Sequence, residues 1–105
     1  MSKKLQLSAR MKIREDKLEE FKRQAALCIS QVIEKDPGTL QYDWFLNSDK
    51  TKCEIREAYE SSEALLAHVA NLRELLGILF EQYATDAAKM RGVGVKTYSF
   101  LQGLD

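Results

Sequence analysis

The chain has 105 residues, 45% of them hydrophobic and 30% charged, which is typical of one soluble globular domain. Because 16 basic residues balance 16 acidic ones, no overall positive field is present to hold a nucleic-acid backbone, and nucleic acid is not an expected partner. The N-terminal MSKKLQLSARMK lacks a continuous apolar core and no apolar run approaches a bilayer span, so we expect a cytoplasmic protein without membrane contact.

The first two elements are predicted to be a strand and a helix. Residues 4–13 alternate between apolar and polar side chains, which is the period of a strand with one apolar face. From Leu18 to Val32 apolar residues recur at three- and four-residue spacing, which indicates a half-buried helix. Asp16 is predicted to cap this helix, and Pro37 marks its end.

A β-hairpin is predicted next. It consists of a strand at 39–47, a turn at 48–50 and an antiparallel strand at 52–59. One face of its first strand is expected to carry Leu40, Tyr42, Trp44 and Leu46.

The second helix is predicted to begin at a serine cap and to carry one long apolar stripe. Ser61 or Ser62 supplies the cap, and the stripe runs from Leu65 to Tyr83. The helical pattern weakens only after Met90, and residues 95–101 are predicted to form the final strand.

The resulting order, βαββαβ, predicts an α+β fold of the ferredoxin-like type, with one antiparallel sheet and its helices on one face. A single domain is expected to span residues 1–105. In so short a chain no further element is available to cover the other face of the sheet. We therefore predict a homodimer whose sheets pack face to face, forming a dimeric α/β barrel.

The residues with ligand chemistry are few. Cys28, Cys53 and a single histidine are too few and too separated for a disulfide framework or a dedicated metal site. The glycine-rich motifs that hold nucleotides are absent from the sequence. We therefore expect neither a metal nor another cofactor.

His68 is the sharpest candidate for acid–base chemistry. It lies on the apolar stripe of the second helix, between Leu65 and Leu72, so its side chain is predicted to face the sheet. An imidazole there could move a proton near neutral pH. The alternative is a core histidine satisfied by one hydrogen bond, and the periodicity leaves both interpretations open.

Glu57 is the second candidate, because it shares a strand face with Cys53, Ile55 and Tyr59. A carboxylate among apolar neighbours is suited to proton transfer. The alternative is a structural ion pair with a basic residue of a neighbouring strand, for which Arg10 is available.

Three aromatic residues are candidates for substrate binding. Tyr42, Trp44 and Tyr59 could line a pocket for a flat aromatic molecule, with their polar atoms setting its orientation. The alternative is that these rings fill the core or a dimer interface. For Tyr42 and Trp44 this alternative is favoured, because most aromatic residues in strands have that role.

Three segments resemble the antibiotic biosynthesis monooxygenase (ABM) family: PGTLQYDWFL, EIREAYES and EALLAHV. The resemblance extends from Leu7 to Leu76 and implies a dimeric α+β barrel with a small cavity between sheet and helices. It also implies a cofactor-independent monooxygenase that oxidises a small phenolic or quinol substrate with dioxygen. His68 and Glu57 would then assist proton movement, while Tyr59 and Trp44 would hold the ring.

Two other functions remain open on this fold: a non-catalytic dimeric small-molecule-binding module and a small-metabolite isomerase. The monooxygenase requires an apolar cavity that contains His68 and an aromatic edge. The binding module predicts that His68 and Glu57 are satisfied by internal partners and that no cavity exists. Haem-degrading relatives are less similar, since Ser8 and Tyr59 stand where that type has an asparagine and a tryptophan.

Overall fold

The computed structural model describes residues 4–91 and 99–100, with side-chain detail for residues 4–87. Its elements are β1 (Leu5–Ile13), α1 (Leu18–Lys35), β2 (Thr39–Leu46), β3 (Lys52–Tyr59), α2 (Ser62–Ile78), β4 (Ala84–Arg91) and β5 (Ser99–Phe100). The described strands form one antiparallel sheet in the order β4-β1-β3-β2-β5. The β4-β1-β3-β2 part with its two helices is the ferredoxin-like arrangement, so the predicted fold class is confirmed.

The register of the sheet explains which residues face the helices. In β1–β3 pairing Ala9 lies opposite Ile55, and in β2–β3 pairing Trp44 lies opposite the same residue. All three are buried in one core with side chains from both helices, among them Phe21 of α1 and Leu72 of α2. Burying each large side chain of this kind contributes roughly 1.5–3 kcal/mol. The helices therefore pack on a single face of the sheet.

The start of β2 departs from the predicted alternation. The β2–β3 register shifts between Thr39 and Gln41, which leaves Leu40 as an extra residue in β2. Leu40 is 50% exposed, so the prediction that it shares the core face of Tyr42 is wrong. One inserted residue reverses the side-chain alternation on either side of it.

The prediction of a serine cap for α2 is confirmed, whereas the prediction that Asp16 caps α1 is wrong. Ser61 Oγ accepts a hydrogen bond of 3.1 Å from the backbone N–H of Ala64. At α1 the capping position is Lys17, whose side chain makes no capping hydrogen bond. Asp16 instead occupies the left-handed backbone region at φ 61°, inside the turn that precedes the helix.

The prediction of helix as far as Met90 is also wrong. A π-helical turn at Leu79–Tyr83 follows α2, and β4 then pairs antiparallel with β1. The segment ATDAAKMR contains good helix formers, but pairing with β1 satisfies backbone groups on that side of β1. The tertiary pairing thus overrides local propensity. Ser99 and Phe100 pair with β2 inside the predicted final strand, whose other residues lie outside the described part of the chain.

The turn between α1 and β2 packs closely against the start of α2. A Cβ atom built on Gly38 would lie 2.7 Å from the Cβ of Ala64, so only glycine fits without a shift. Glu60 also donates its backbone N–H to the Gly38 carbonyl at 3.0 Å. This close approach places Asp36, two residues earlier, beside α2.

The face of the sheet opposite the helices carries a buried acid held by two arginines. Glu54 is 1% exposed, and its carboxylate accepts from Arg10 Nε at 2.9 Å and from Arg56 Nε at 2.7 Å. The Arg56 guanidinium also lies 4.9 Å from the ring centre of Phe45. Two charge-assisted hydrogen bonds offset the cost of burying this carboxylate. In the described ranges no helix has the length and apolar character needed to cross a membrane.

Candidate functional site

His68 lies on the sheet-facing side of α2 and is 1% exposed, as its position on the apolar stripe predicted. Its Nδ1 is 2.7 Å from Asp36 Oδ2, and its Nε2 is 4.0 Å from Glu57 Oε1. One nitrogen of the ring thus faces the end of α1 and the other faces β3. A buried imidazole between two carboxylates is well suited to carry a proton, because both acids stabilise its charged form.

Glu57 and Tyr59 project from the same face of β3, since they are two residues apart. The Tyr59 hydroxyl donates a hydrogen bond to Glu57 Oε1. Burial raises the pKa of the Tyr59 hydroxyl, and the neighbouring Glu57 carboxylate raises it further. Tyr59 therefore remains protonated and acts as a donor to Glu57. The structural alternative for Glu57 was an ion pair with Arg10. In the structure Arg10 lies opposite Glu54 in the β1–β3 pairing and forms an ion pair with Glu54.

The imidazole is flanked by two tyrosine rings. The ring centres of Tyr42 and Tyr59 each lie 5.0 Å from that of His68, with interplanar angles of 67° and 57°. These inclined arrangements are favourable for aromatic pairs. Burial raises the pKa of Tyr42 well above its ordinary value, and the nearby Cys28 and Glu57 add to this effect. Both tyrosines are neutral at physiological pH.

A polar chain continues from Asp36 across the two helices. Asn71 Nδ2 donates to Asp36 Oδ1 at 2.9 Å, and Gln31 Nε2 donates to Asn71 Oδ1 at 2.9 Å. With His68 on its other oxygen, the Asp36 carboxylate has partners on both oxygens. Sequence reasoning missed all three of these residues. The spacing of Asn71 three residues after His68 was an available signal, because such residues share a helix face.

Trp44 occupies a different position from the other predicted site residues. Its side chain is 0% exposed and packs in the core, with ring centres 6.1 Å from Phe21 and 5.7 Å from Tyr42. It contacts the His68 cluster through Tyr42. The structure thus brings His68, Glu57, Tyr42 and Tyr59 together and places Trp44 behind Tyr42.

An open cavity of about 500 Å³ lies at the surface between the end of α1 and the start of β2. Its apolar wall is formed by Ile29, Val32, Ile33, Pro37 and Leu40. Asp36 and Tyr42 line it as well, so two members of the buried cluster reach it. His68 is one contact removed from this cavity, behind Asp36.

The two cysteines are buried and reduced. Burial raises the pKa of the Cys28 thiol to about 12 and also raises that of Cys53. Both thiols therefore stay protonated and unreactive near neutral pH. Within residues 4–91, no three histidine, cysteine or acidic side chains are grouped so that they could hold a metal ion.

The fold and site define a small α+β protein with an acid–histidine–tyrosine cluster between its sheet and its helices. Residues 6–73 match the family described as Antibiotic biosynthesis monooxygenase. Since the match covers more than half of the 105 residues, the chain belongs to this family. The resemblance inferred from the three sequence segments is thereby confirmed.

Solved structures show the same fold. MupZ from Pseudomonas fluorescens is 29% identical with a TM-score of 0.71, over 85% of this chain and 68% of that one. A proposed antibiotic biosynthesis monooxygenase from Nitrosomonas europaea is 20% identical with a TM-score of 0.76, over 90% and 93% of the two chains. PA3566 from Pseudomonas aeruginosa is 21% identical with a TM-score of 0.74, over 91% and 98%. None of the curated proteins compared with this chain matches it.

Proposed function

We propose that this protein is a cofactor-independent monooxygenase that oxidises a small phenolic or quinol molecule with dioxygen. Family membership supports the class of reaction. The observation that carries the proposal is the buried His68 imidazole, which lies between the Asp36 and Glu57 carboxylates and against two tyrosine rings. This is an arrangement for moving a proton in a site sheltered from water.

The chemistry follows from the electron demand of the reaction. A phenol becomes a much better electron donor when its hydroxyl proton is removed. The substrate itself then supplies all four electrons that reduce dioxygen, so that one oxygen atom enters the ring to give a quinone and the other leaves as water. The protein has to bind the ring, accept the proton and exclude water. His68 serves as the base in this proposal, and the two flanking carboxylates stabilise the imidazolium that forms.

The other predicted residues have supporting roles in the proposal. Glu57 assists proton movement beside His68 Nε2, and Tyr59 donates to Glu57 and holds its orientation. Tyr42 lines the cavity and offers its ring to a flat substrate. Trp44 supports Tyr42 from within the core.

A non-catalytic binding module is the second candidate, and one observation favours it. His68 and Glu57 both have internal partners, as that function requires. The cavity beside Asp36 and Tyr42 conflicts with its second requirement, the absence of a cavity, but this cavity does not include His68, as the oxygenase requires. An isomerase acting on phosphorylated sugars would need a basic side chain to bind the phosphate. This function is disfavoured, because Arg10 and Arg56 bind Glu54 on the opposite face of the sheet from His68.

Oxygen uptake tests the function directly. The native protein, treated with a chelator, is expected to consume dioxygen when incubated with a panel of hydroquinones and polyphenols. The control is the same panel with heat-denatured protein, which measures autoxidation. Uptake no faster than in this control, for every compound of the panel, would exclude the oxygenase and leave the binding module.

A homodimer is also proposed, with the helix-free faces of two sheets in contact. This face carries Phe45 beside the partly exposed Arg10 and Arg56 side chains that bind Glu54, and the helices pack on the other face. Sedimentation equilibrium at micromolar concentration is expected to give twice the mass of the chain. A monomer mass throughout that concentration range would contradict the proposal.

A further inference from the structure

We propose that Asp36, Asn71 and Gln31 act together as positioning residues that hold His68 in the tautomer with its proton on Nδ1. The catalytic part of this inference rests on the proposed function. The tautomer itself follows from the contacts of an ionised Asp36 carboxylate and is testable without turnover.

The hydrogen bonds that lead to His68 begin at Gln31. Its side-chain amide donates from Nε2 to Asn71 Oδ1 at 2.9 Å, so the oxygen end of the Asn71 amide faces α1. The nitrogen end must then face Asp36, and its Nδ2 lies 2.9 Å from Asp36 Oδ1. Because an amide nitrogen can only donate, Asp36 Oδ1 must accept.

The last hydrogen bond of this chain joins Asp36 to His68. Asp36 is 8% exposed, and an ionised carboxylate in such a site needs donors on both oxygens. Asn71 supplies one donor, and the second oxygen lies 2.7 Å from His68 Nδ1. Nδ1 must therefore carry a proton, and in the neutral ring Nε2 is then the basic nitrogen. This nitrogen is the one directed toward Glu57, at 4.0 Å.

The consequence for the proposed reaction is a fixed direction for proton transfer. The nitrogen that accepts a proton is directed toward β3, where Glu57 and Tyr59 lie, and not toward the cavity at the end of α1. Tyr42, which lines that cavity and packs against the imidazole, lies between the cavity and the ring. The titratable groups around the ring are Asp36 from the end of α1, Tyr42 from β2, and Glu57 and Tyr59 from β3. Of these, Asp36 is hydrogen-bonded to Nδ1 at 2.7 Å. It should therefore have the largest effect on the ring.

The test uses the fact that the chain contains one histidine, so its nitrogen spectrum needs no assignment. In native protein labelled with 15N-histidine, the unprotonated nitrogen of the neutral ring is expected to be Nε2. Free histidine in water favours the opposite tautomer, so this result would be diagnostic. A native spectrum with the proton on Nε2 would overturn the proposal.

Variants of Asp36 and Asn71 test whether these residues position the His68 ring. In Asp36→Asn the loss of the neighbouring charge is expected to move the 15N titration of His68 to lower pH. Asn71→Ala is expected to give a mixture of tautomers, whereas Arg73→Ala, on the exposed side of the same helix, should leave the spectrum unchanged. Native-like tautomer and titration in both cluster variants, with folding verified by melting, would overturn the proposal.

The kinetic readout separates positioning from the proposed function. If the protein consumes dioxygen, Asn71→Ala should lower kcat with little change in KM, since Asn71 orients the base and does not touch substrate. In Asp36→Asn the acidic limb of the kcat profile should move to lower pH, in parallel with the 15N titration. Unchanged kcat and pH profile in both variants would remove the catalytic role. A protein without turnover but with the expected spectra would refute the function and retain the tautomer.

Discussion

Replacing His68 with alanine is expected to reduce oxygen-dependent turnover by about 10²–10⁴-fold, the usual contribution of a positioned acid–base group. The reason is that no other imidazole exists in the chain and the proposed proton acceptor is lost. The measurement is oxygen uptake by the native and variant proteins with the most active compound of the hydroquinone panel.

Folding must be separated from chemistry in this experiment. His68→Ala leaves the Asp36 carboxylate short of one buried hydrogen-bond partner, so a loss of about 1–3 kcal/mol in stability is also expected. His68→Gln keeps a polar group and gives a second, better-packed variant. Leu66→Ala, at a position of α2 that is 68% exposed, is the matched control and should retain native turnover. Unchanged uptake in folded His68→Ala would remove His68 from the mechanism.

Replacing Trp44 with alanine is expected to cost about 3–5 kcal/mol in the free energy of unfolding, the largest stability effect that we predict. The indole is 0% exposed and packs between Phe21 and Tyr42, so its removal opens a hole at the centre of the core. Denaturant unfolding followed by circular dichroism measures the change. Leu40→Ala, at the half-exposed bulge of the same strand, is the control and should change stability by no more than about 0.5 kcal/mol.

Trp44→Phe distinguishes the two roles that the sequence left open for this residue. It keeps an aromatic ring in the core, so stability should fall much less than in the alanine variant. Turnover should be largely retained, because the indole supports Tyr42 and lies behind it. A stable Trp44→Phe protein that has lost turnover would instead show that the indole contacts the substrate.

The sequence by itself was sufficient for the elements whose local pattern agrees with their tertiary environment. The alternation in β1 and β3 placed Glu57 and Tyr59 on one face, and the helical stripe placed His68 opposite that face. Ser61 was a correct cap because a capping hydrogen bond forms within four residues. In each case neighbours along the chain decide the geometry.

The tertiary structure decided everything that depends on neighbours distant in sequence. Residues 84–91 favour a helix locally, yet they form β4 because the adjacent β1 offers backbone partners. The bulge at Leu40 follows from the register with β3, which the sequence of β2 does not display. The pairing of Asp36 with His68 joins residues 32 positions apart and depends on the close packing of the α1–β2 turn against α2. Local patterns determine which face a side chain occupies, and only the packed chain determines which group it meets there.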